Sequence, residues 1–288
     1  MAFFVALSGG GGHMRDLIRR VLRRLKRYLL PREADLGDDR INTVTFSNGT
    51  LESAVNETGI FAVDSRQADR PIMRKALLGE VSEPRALTFI VNRCGSGDVV
   101  QAGAYYGDFL PALSKAVVPG AIVWTFEPNP GSHELARRTI SLNRLRNVRL
   151  FPYALASEAG ELNLATEKDG LALGGLSRIV EDNHKFTPGE GNYTASAVES
   201  VRLDDLIPIE REVSIIQLDL EGYEVPALKG AVSILRKNRP ILVLEMLPRR
   251  AELALREIVP ELGYIPVGRF GQNSVLVSPD EDFVSEPV

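Results

Sequence analysis

Acidic side chains follow two apolar segments that read as neighbouring strands. Asp219 and Glu221 come directly after one segment, Glu224 follows them, and Glu245 ends the next segment. Ligands bind at the carboxyl ends of strands in open α/β sheets, so charges placed there are suited to chemistry. Asp219, Glu221 and Glu245 are therefore candidates for a general base or for oxygen ligands of a hard cation such as Mg²⁺. A solvated rim charge is the alternative for Glu245, and Glu224 is instead suited to cap the following helix.

A glycine-rich turn and a further acid suggest a nucleoside pocket. Gly103 and Gly107 follow a short apolar run and open a helix, so the backbone can turn sharply there and approach a ligand. Glu127 ends the next apolar run, where an acid in a doubly wound fold accepts hydrogen bonds from ribose hydroxyls. The alternative for Glu127 is an exposed acid at a strand end. Gly-x-x-x-Gly is not the dinucleotide spacing, which argues against a nicotinamide-dependent oxidoreductase.

The elements that must position these residues alternate between strands and helices. From Val99 onward, short apolar runs alternate with helix-length segments, which is typical of a doubly wound α/β sheet. The predicted strands are Val99 to Ala102, Ile122 to Phe126, Val148 to Pro152, Ile215 to Asp219 and Ile241 to Leu244. The predicted helices are Arg66 to Gly79, Pro84 to Val91, Phe109 to Val117, His133 to Asn143 and Val225 to Asn238. Tyr264 to Arg269 and Ser274 to Val277 predict a hairpin at the sheet edge.

Composition and charge restrict the partners. The chain has 288 residues, of which 44% are apolar and 25% charged, as in globular proteins. The formal net charge of −4 argues against nucleic acid held by overall basic charge. A single cysteine, Cys94, excludes an internal disulfide, and this favours the cytoplasm. No stretch approaches the roughly 18 consecutive apolar residues of a membrane span.

The N-terminal region reads as an extension to the main domain. Residues 1–14 resemble an appended leader because a glycine run precedes His13, and Met14 is then the expected natural start. Residues 15–30 carry apolar residues at helical spacing opposite Arg and Lys, which predicts a basic amphipathic helix. Such a helix either lies on an anionic membrane at the inner face or docks on the domain or on a second copy in a homo-oligomer. Residues 15–94 are assigned to this helix and an adapter, and 95–288 to the main domain.

An ordered series of blocks resembles the FkbM-type S-adenosylmethionine-dependent methyltransferases over residues 95–247. The blocks are Gly103 to Gly107, Phe126 to Pro130, Tyr153 to Ser157, Arg202 to Leu206, Asp219 to Glu224, Leu228 to Ala231 and Leu244-Glu245. The resemblance implies a class I, Rossmann-like methyltransferase sheet of seven strands with the last antiparallel. It also implies S-adenosylmethionine-dependent O-methylation of a small acceptor, such as a sugar hydroxyl in a glycan or a glycosylated natural product.

The resemblance assigns the cofactor contacts by position. They are Gln101, Gly103, Ala104, Tyr105 and Gly107 at the methionine end, Glu127, Pro128 and Asn129 at the ribose, and Tyr153, Ala154 and Leu155 at the adenine, with Asp219 near the amine and the methyl group. The chain departs from the family pattern at Gln101, where Asp is usual, at Tyr105, where Asn is usual, and at Gln217, where Lys is usual. These departures leave a second hypothesis open, a nucleoside-binding or scaffold protein without catalysis.

A sugar hydroxyl is a weak nucleophile near neutral pH, so a base or a metal must assist it. The candidate bases are Asp219, Glu221, Glu245 and His184, and the first three are also the candidate ligands of Mg²⁺. His184 lies in the polar segment Gly170 to Ala197, which we expect to be a loop that acts as a substrate lid. A solvent-exposed histidine is the alternative.

Overall fold

The computed structural model describes residues 51–95, 97–180 and 192–279. The strands are β1 (Leu51–Val55), β2 (Ile60–Asp64), β3 (Asp98–Ala102), β4 (Val123–Phe126), β5 (Val148–Phe151), β6 (Ala154–Leu155), β7 (Gly160–Lys168), β8 (Leu171–Ala172), β9 (Arg178–Val180), β10 (Tyr193–Val201), β11 (Val213–Leu218), β12 (Ile241–Glu245), β13 (Ile265–Phe270) and β14 (Asn273–Val277). The helices are α1 (Pro71–Leu77), α2 (Pro84–Arg93), α3 (Leu110–Ala116), α4 (Pro130–Asn143), α5 (Leu203–Leu206), α6 (Glu224–Lys229), α7 (Val232–Asn238) and α8 (Pro248–Ile258). Short 3-10 helices lie at Ser65–Gln67, Gly174–Leu176 and Pro260–Leu262.

A seven-stranded sheet in the order β13-β14-β12-β11-β3-β4-β5 forms the centre of the fold. Strands β3, β4, β5, β11 and β12 are parallel, and β14 runs antiparallel to both of its neighbours. The doubly wound sheet and its terminal hairpin are therefore confirmed. Chain order reverses at β3, which pairs with β4 on one side and β11 on the other. Ligands of such sheets bind outside the strand ends at this switch point.

Alternation along the strands divides the core between two layers of helices. Val100 and Leu242 pack with Leu235 of α7 and Leu255 of α8, whereas neighbouring strand residues face the layer formed by α2 and α3. Successive strand side chains point to opposite faces, so nearly continuous apolar runs bury both faces of the sheet. This rigid centre fixes the positions of the residues that follow each strand.

Two predicted helices differ from the structure. The helix expected over Arg66 to Gly79 is a 3-10 turn followed by α1, because Pro71 has no amide hydrogen and takes the first helical position. The helix expected over Val225 to Asn238 is broken into α6 and α7. At the break a Cβ on Gly230 would overlap the backbone carbonyl oxygen of Ala156, so the chain runs too close to continue one regular helix.

The expectation that Gly170 to Ala197 is a loop was wrong for its described residues. Strands β8, β9 and most of β10 lie in this segment, and they join β6 and β7 in a second sheet of order β6-β10-β7-β8, in which β9 also pairs with β7. Much of β10 is exposed, so its polar composition suits a strand with a solvent-facing side. His184 lies outside the described residues.

The described part of the N-terminal extension packs against the main domain. The hairpin of β1 and β2 lies on α4, where the Ala62 amide donates to Thr139 Oγ1 at 3.0 Å and the Ile60 amide to Asn143 Oδ1 at 3.0 Å. Both the expected leader, residues 1–14, and the expected basic helix, residues 15–30, lie outside the described residues. Within the part of the chain that is described, no helix is both long and apolar enough to cross a membrane.

Candidate functional site

The backbones that leave β3 and β11 come into close contact at the switch point. Gly103 has a φ of +87°, and a Cβ there would overlap the backbone carbonyl oxygen of Asp219. The Asp219 amide donates to the Ala102 carbonyl at 3.1 Å, and the Gly103 amide donates to the Phe126 carbonyl at 3.1 Å. Only glycine combines this φ with this approach at low cost. The turn thus forms a cradle of bare backbone where the family resemblance places the methionine end of the cofactor.

Glu127 is buried directly after β4, where the family resemblance places the ribose of the cofactor. Its Oε2 accepts from the Tyr105 amide at 2.7 Å and its Oε1 from the Asn129 amide at 2.9 Å. Burial raises the pKa of this carboxyl to about 7, against the opposing effect of the two amide donors. Each carboxylate oxygen can accept more than one hydrogen bond, so capacity remains for two ribose hydroxyls. The same carboxyl also holds the turn after β3, so a substitution of Glu127 is expected to affect both ligand binding and folding.

Gln101 and Gln217 lie side by side on β3 and β11. Gln101 Oε1 accepts from Thr125 Oγ1 at 2.6 Å, and Gln101 Nε2 donates to the Gly103 carbonyl at 3.1 Å. Gln101 therefore stabilises the glycine turn. The Gln217 side chain is only 3% exposed, and its Oε1 has no hydrogen-bond partner among the described residues.

A short segment between β8 and β9 of the second sheet covers Tyr105. We call Gly174–Leu176 with Ser177 the strap. A Cβ on Gly175 would lie 3.1 Å from Tyr105 Cδ1, so the strap backbone rests on the ring. Tyr105 Oη donates to Gln67 Oε1 at 2.8 Å, and Asn129 Nδ2 donates to Ser177 Oγ at 2.8 Å. Tyr105, which stands where Asn is usual in the family, therefore connects the glycine turn to the strap and to the N-terminal extension.

The three predicted acids at the strand ends come together. Each of Asp219, Glu221 and Glu245 offers one carboxylate oxygen, and the three oxygens lie within 4.8 Å of one another. Burial, with a hydrogen bond to Glu245, raises the pKa of Asp219 well above its ordinary value. Burial and the charge of Glu245 raise the pKa of Glu221 to about 7. Such a group can accept a proton near neutral pH.

Glu224 lies in the first turn of α6, as expected, and its carboxylate holds the turn that precedes the helix. Its Oε1 accepts from the Leu220 amide at 3.0 Å and from the Gly222 amide at 3.2 Å. The turn that it closes contains Glu221 at a φ of +51°, an uncommon conformation for a residue with a side chain. Glu224 is thus a positioning residue for Glu221.

Two further acids in the cavity were missed. Burial and the charge of Glu83 raise the pKa of Asp108 to about 7. Glu83 Oε2 accepts from Asn273 Nδ2 of β14 at 2.8 Å, so the terminal hairpin anchors this acid. Asp108 directly follows the glycine turn, which was an available signal for it. Glu83 belongs to the entry of α2, far away in sequence, and no local pattern connects it to the site.

These groups surround a cavity of about 210 Å³. The predicted residues that line it are Gln101, Gly103, Tyr105, Glu127, Pro128, Tyr153, Ala154, Leu155, Asp219, Glu221 and Glu245. Ala104 and Gly107 do not line it, and they shape the turn behind it. Asn129 faces an adjoining cleft. The position of His184 is not described, so its role as a base stays a prediction.

The sheet order, the glycine turn and the acid at the end of the second parallel strand define a class I S-adenosylmethionine-dependent methyltransferase. The chain matches the sequence profile described as the methyltransferase FkbM domain over residues 101–266. It belongs to this family, and the resemblance of the sequence blocks is confirmed. No curated protein matches the chain.

Solved structures with a similar fold include several methyltransferases. One is methyltransferase FkbM from Methylobacillus flagellatus KT, with 19% identity, a TM-score of 0.41, and coverage of 63% of this chain and 43% of that one. Another is TYW2 from M. jannaschii in complex with AdoMet, with 15% identity, a TM-score of 0.42, and coverage of 85% and 87%. A third is an rRNA methylase from Streptococcus thermophilus, with 11% identity, a TM-score of 0.38, and coverage of 67% and 92%. The chain thus spans less than half of the first structure, and the family assignment rests on the sequence match.

Proposed function

We propose that this methyltransferase acts on a sugar hydroxyl of a glycan or a glycosylated natural product. The observation that carries the proposal is the meeting of Asp219, Glu221 and Glu245 beside the glycine cradle. The acid cluster stands where an acceptor hydroxyl must lose its proton. A hydroxyl needs such assistance because it is a weak nucleophile near neutral pH.

The residues that line the cavity suit S-adenosylmethionine by their chemistry and charge. The bare backbone at Gly103 admits a ligand where a side chain would not fit. Glu127 accepts ribose hydroxyls, and Tyr153, in a stack with Phe151, flanks the adenine side. An acidic lining favours a sulfonium cation. The cofactor supplies an activated methyl group, and the protein supplies binding, alignment and proton removal.

Cofactor orientation, proton acceptance and the exclusion of water are assigned to different residues of the chain. Asp219 holds the amine of the cofactor and orients its methionine end. Glu221, with a pKa of about 7, accepts the hydroxyl proton directly or shares this task with a divalent cation such as Mg²⁺. The strap excludes water above Tyr105. Glu245 keeps the proton-accepting group close to the methyl end.

A second candidate function is nucleoside binding without catalysis. The cavity of about 210 Å³ is smaller than the roughly 300–1,000 Å³ of ordinary ligand pockets. Tyr105 and the strap narrow it. A scaffold that binds a nucleoside fragment weakly would tolerate such a closed site.

Calorimetric titration with S-adenosylmethionine and S-adenosylhomocysteine tests the cofactor, with NAD as a control ligand. We expect micromolar binding of the first two, weakened by about 1–3 kcal/mol in Glu127→Ala. Incubation with a panel of sugar acceptors, followed by mass spectrometry, then tests the substrate. A methylated sugar supports the proposal, whereas tight cofactor binding with no product across the panel supports the second candidate.

We further propose a cytoplasmic protein whose residues 15–30 contact either the inner membrane face or a second copy of the chain. The proposal is supported by the amphipathic pattern of this segment. Liposome pelleting of the full chain and of a chain lacking residues 1–30 separates the two. Equal pelleting of the two chains would rule out the membrane contact. Light scattering, which measures the mass of the particle in solution, then tests for the homo-oligomer.

A further inference from the structure

The acid cluster lies at the ends of two adjacent parallel strands. Asp219 follows β11 and Glu245 ends β12, and the register of these strands sets both residues at one sheet edge. Glu221 reaches the same point from the turn that Glu224 closes. The three oxygens span at most 4.8 Å. Ligands on opposite sides of a Mg²⁺ or Ca²⁺ ion, each at about 2.0–2.6 Å from it, lie about 4–5 Å apart. The spacing therefore suits one ion.

An independent observation at Gln217 points to a ligand at the same place. Gln217 precedes Asp219 by two residues and thus lies on the same face of β11. It lines the cavity that holds the acid cluster, and its Oε1 is buried without a partner among the described residues. A buried acceptor left unpaired is costly, and in native proteins an ordered water or ion commonly explains it. Side-chain amide oxygens are ordinary ligands of hard cations.

The charge of the cavity also calls for a cation. Carboxyl groups line it at six positions: Glu83, Asp108, Glu127, Asp219, Glu221 and Glu245. Among the described residues of the lining there is no Lys, Arg or His. The amine and sulfonium of the cofactor would offset part of this charge, but they are needed beside Gly103 and the methyl position. Arg178, which lies outside the lining, lowers the pKa of Glu221 and so offsets part of the charge of the acid cluster, and a bound cation would offset the rest.

We propose that Asp219, Glu221 and Glu245 bind a divalent cation of the oxygen-preferring class, such as Mg²⁺ or Mn²⁺, with Gln217 Oε1 as a further acceptor directly or through water. The role of this cation site in catalysis rests on the proposed function. A cation there would polarise the acceptor hydroxyl, whose proton would pass to a carboxylate oxygen of Glu221 while the electron pair stays on the hydroxyl oxygen. That oxygen then bonds to the methyl carbon as the carbon–sulfur bond breaks, and the bonding pair remains on sulfur.

Electron paramagnetic resonance of Mn²⁺ added to the full chain, after treatment with a chelator, tests the site without requiring activity. We expect one bound Mn²⁺ per chain, displaced by excess Mg²⁺. Glu245→Gln and Glu221→Gln should each weaken binding at least 10-fold. The matched control is Glu199→Gln, which removes an exposed carboxylate of β10. Absence of bound Mn²⁺, or equal weakening in all three variants, would overturn the proposal.

Two further measurements keep this result interpretable. Thermal unfolding should show that Mn²⁺ raises the melting temperature of the wild type but not that of Glu245→Gln, because an ion that binds the folded state stabilises it. The variant itself should fold, since it loses a repelling charge. Titration of the chelator-treated protein with S-adenosylhomocysteine tests the methyltransferase site separately. Cofactor binding without Mn²⁺ binding would refute the cation site alone, and loss of both would refute the proposed function as well.

Discussion

Replacement of Gly103 by alanine tests whether close backbone contact builds the cofactor site. A Cβ at this position would overlap the carbonyl oxygen of Asp219. The matched control is Gly120→Ala. Gly120 has a φ of +91°, against +87° for Gly103, but it has no atom within 4 Å of the added Cβ. Both variants therefore carry the same conformational penalty, and only Gly103→Ala adds a collision.

The expected magnitudes follow from the contacts. An L side chain in this region of φ costs about 1–2 kcal/mol at either position. Relief of the collision requires the chain to move away from Asp219, which disrupts the bonds from the Asp219 amide to Ala102 and from the Gly103 amide to Phe126. Two such bonds contribute about 1 kcal/mol each. We expect a loss of unfolding free energy near 3–4 kcal/mol for Gly103→Ala and near 1–2 kcal/mol for Gly120→Ala.

Urea unfolding measures both variants, and calorimetry with S-adenosylhomocysteine measures the site. Gly103→Ala should abolish binding under conditions where the protein is still folded, whereas Gly120→Ala should bind like the wild type. Equal losses of stability in the two variants would show that the sheet absorbs the added carbon without disruption. Normal binding in Gly103→Ala would refute the cradle.

Three further predictions concern the residues around the turn. The affinity for S-adenosylhomocysteine should rise as pH rises through about 7, because ionised Glu127 accepts hydroxyl donors and its protonated form does so less well; in Glu127→Gln, titrations at pH 6 and 8 should show a smaller rise and binding about 10-fold weaker or more. Tyr105→Phe removes the bond to Gln67 and should speed hydrogen exchange of the strap amides about 5-fold. Unchanged exchange would show that this bond does not help to hold the strap in place. Arg211→Ala leaves the buried Asp98 carboxylate without its cation and should lower the unfolding free energy by about 3 kcal/mol in urea, whereas a loss below about 1 kcal/mol would mean that its other donors suffice.

The central sheet could be predicted because its signals are local. Each parallel strand is buried on both faces, so it appears as an apolar run, and the helices between the strands have their own periodicity. The hairpin was expected at Tyr264 to Arg269 and Ser274 to Val277, within one residue of β13 and β14 at each end. The sheet order determines where residues that directly follow strands lie, as for Glu127 and Asp219. Their position in the sequence was therefore enough to predict their place at the edge of the sheet.

The second sheet, of order β6-β10-β7-β8, could not be predicted in the same way. Strand β10 pairs with β7 at its far end, Tyr193 with Lys168, and most of its residues face solvent. A strand with one buried side normally alternates apolar and polar residues, but only Val198 and Ser200 of β10 are buried. The Gly, Asn, Thr and Ser content of residues 170–197 therefore suggested a loop. Glu83 and Gln67 reach the site through tertiary contacts with Asn273 and Tyr105. Neither contact has a counterpart in local sequence.

This difference separates the cofactor end of the cavity from the part that we expect to select the acceptor. The expected cofactor contacts follow strand ends, where the sheet leaves little freedom. The strap is instead held by a hydrogen bond from Asn129 to Ser177 and by contact with the Tyr105 ring, and Tyr105 in turn donates to Gln67. Because a hydrogen bond contributes only about 1 kcal/mol, the residues of the strap can change without disturbing the central sheet. We therefore expect selectivity for the acceptor to follow substitutions in the strap itself, whereas substitutions of Tyr105 or Asn129 should also change cofactor affinity, because the amides of both residues donate to Glu127.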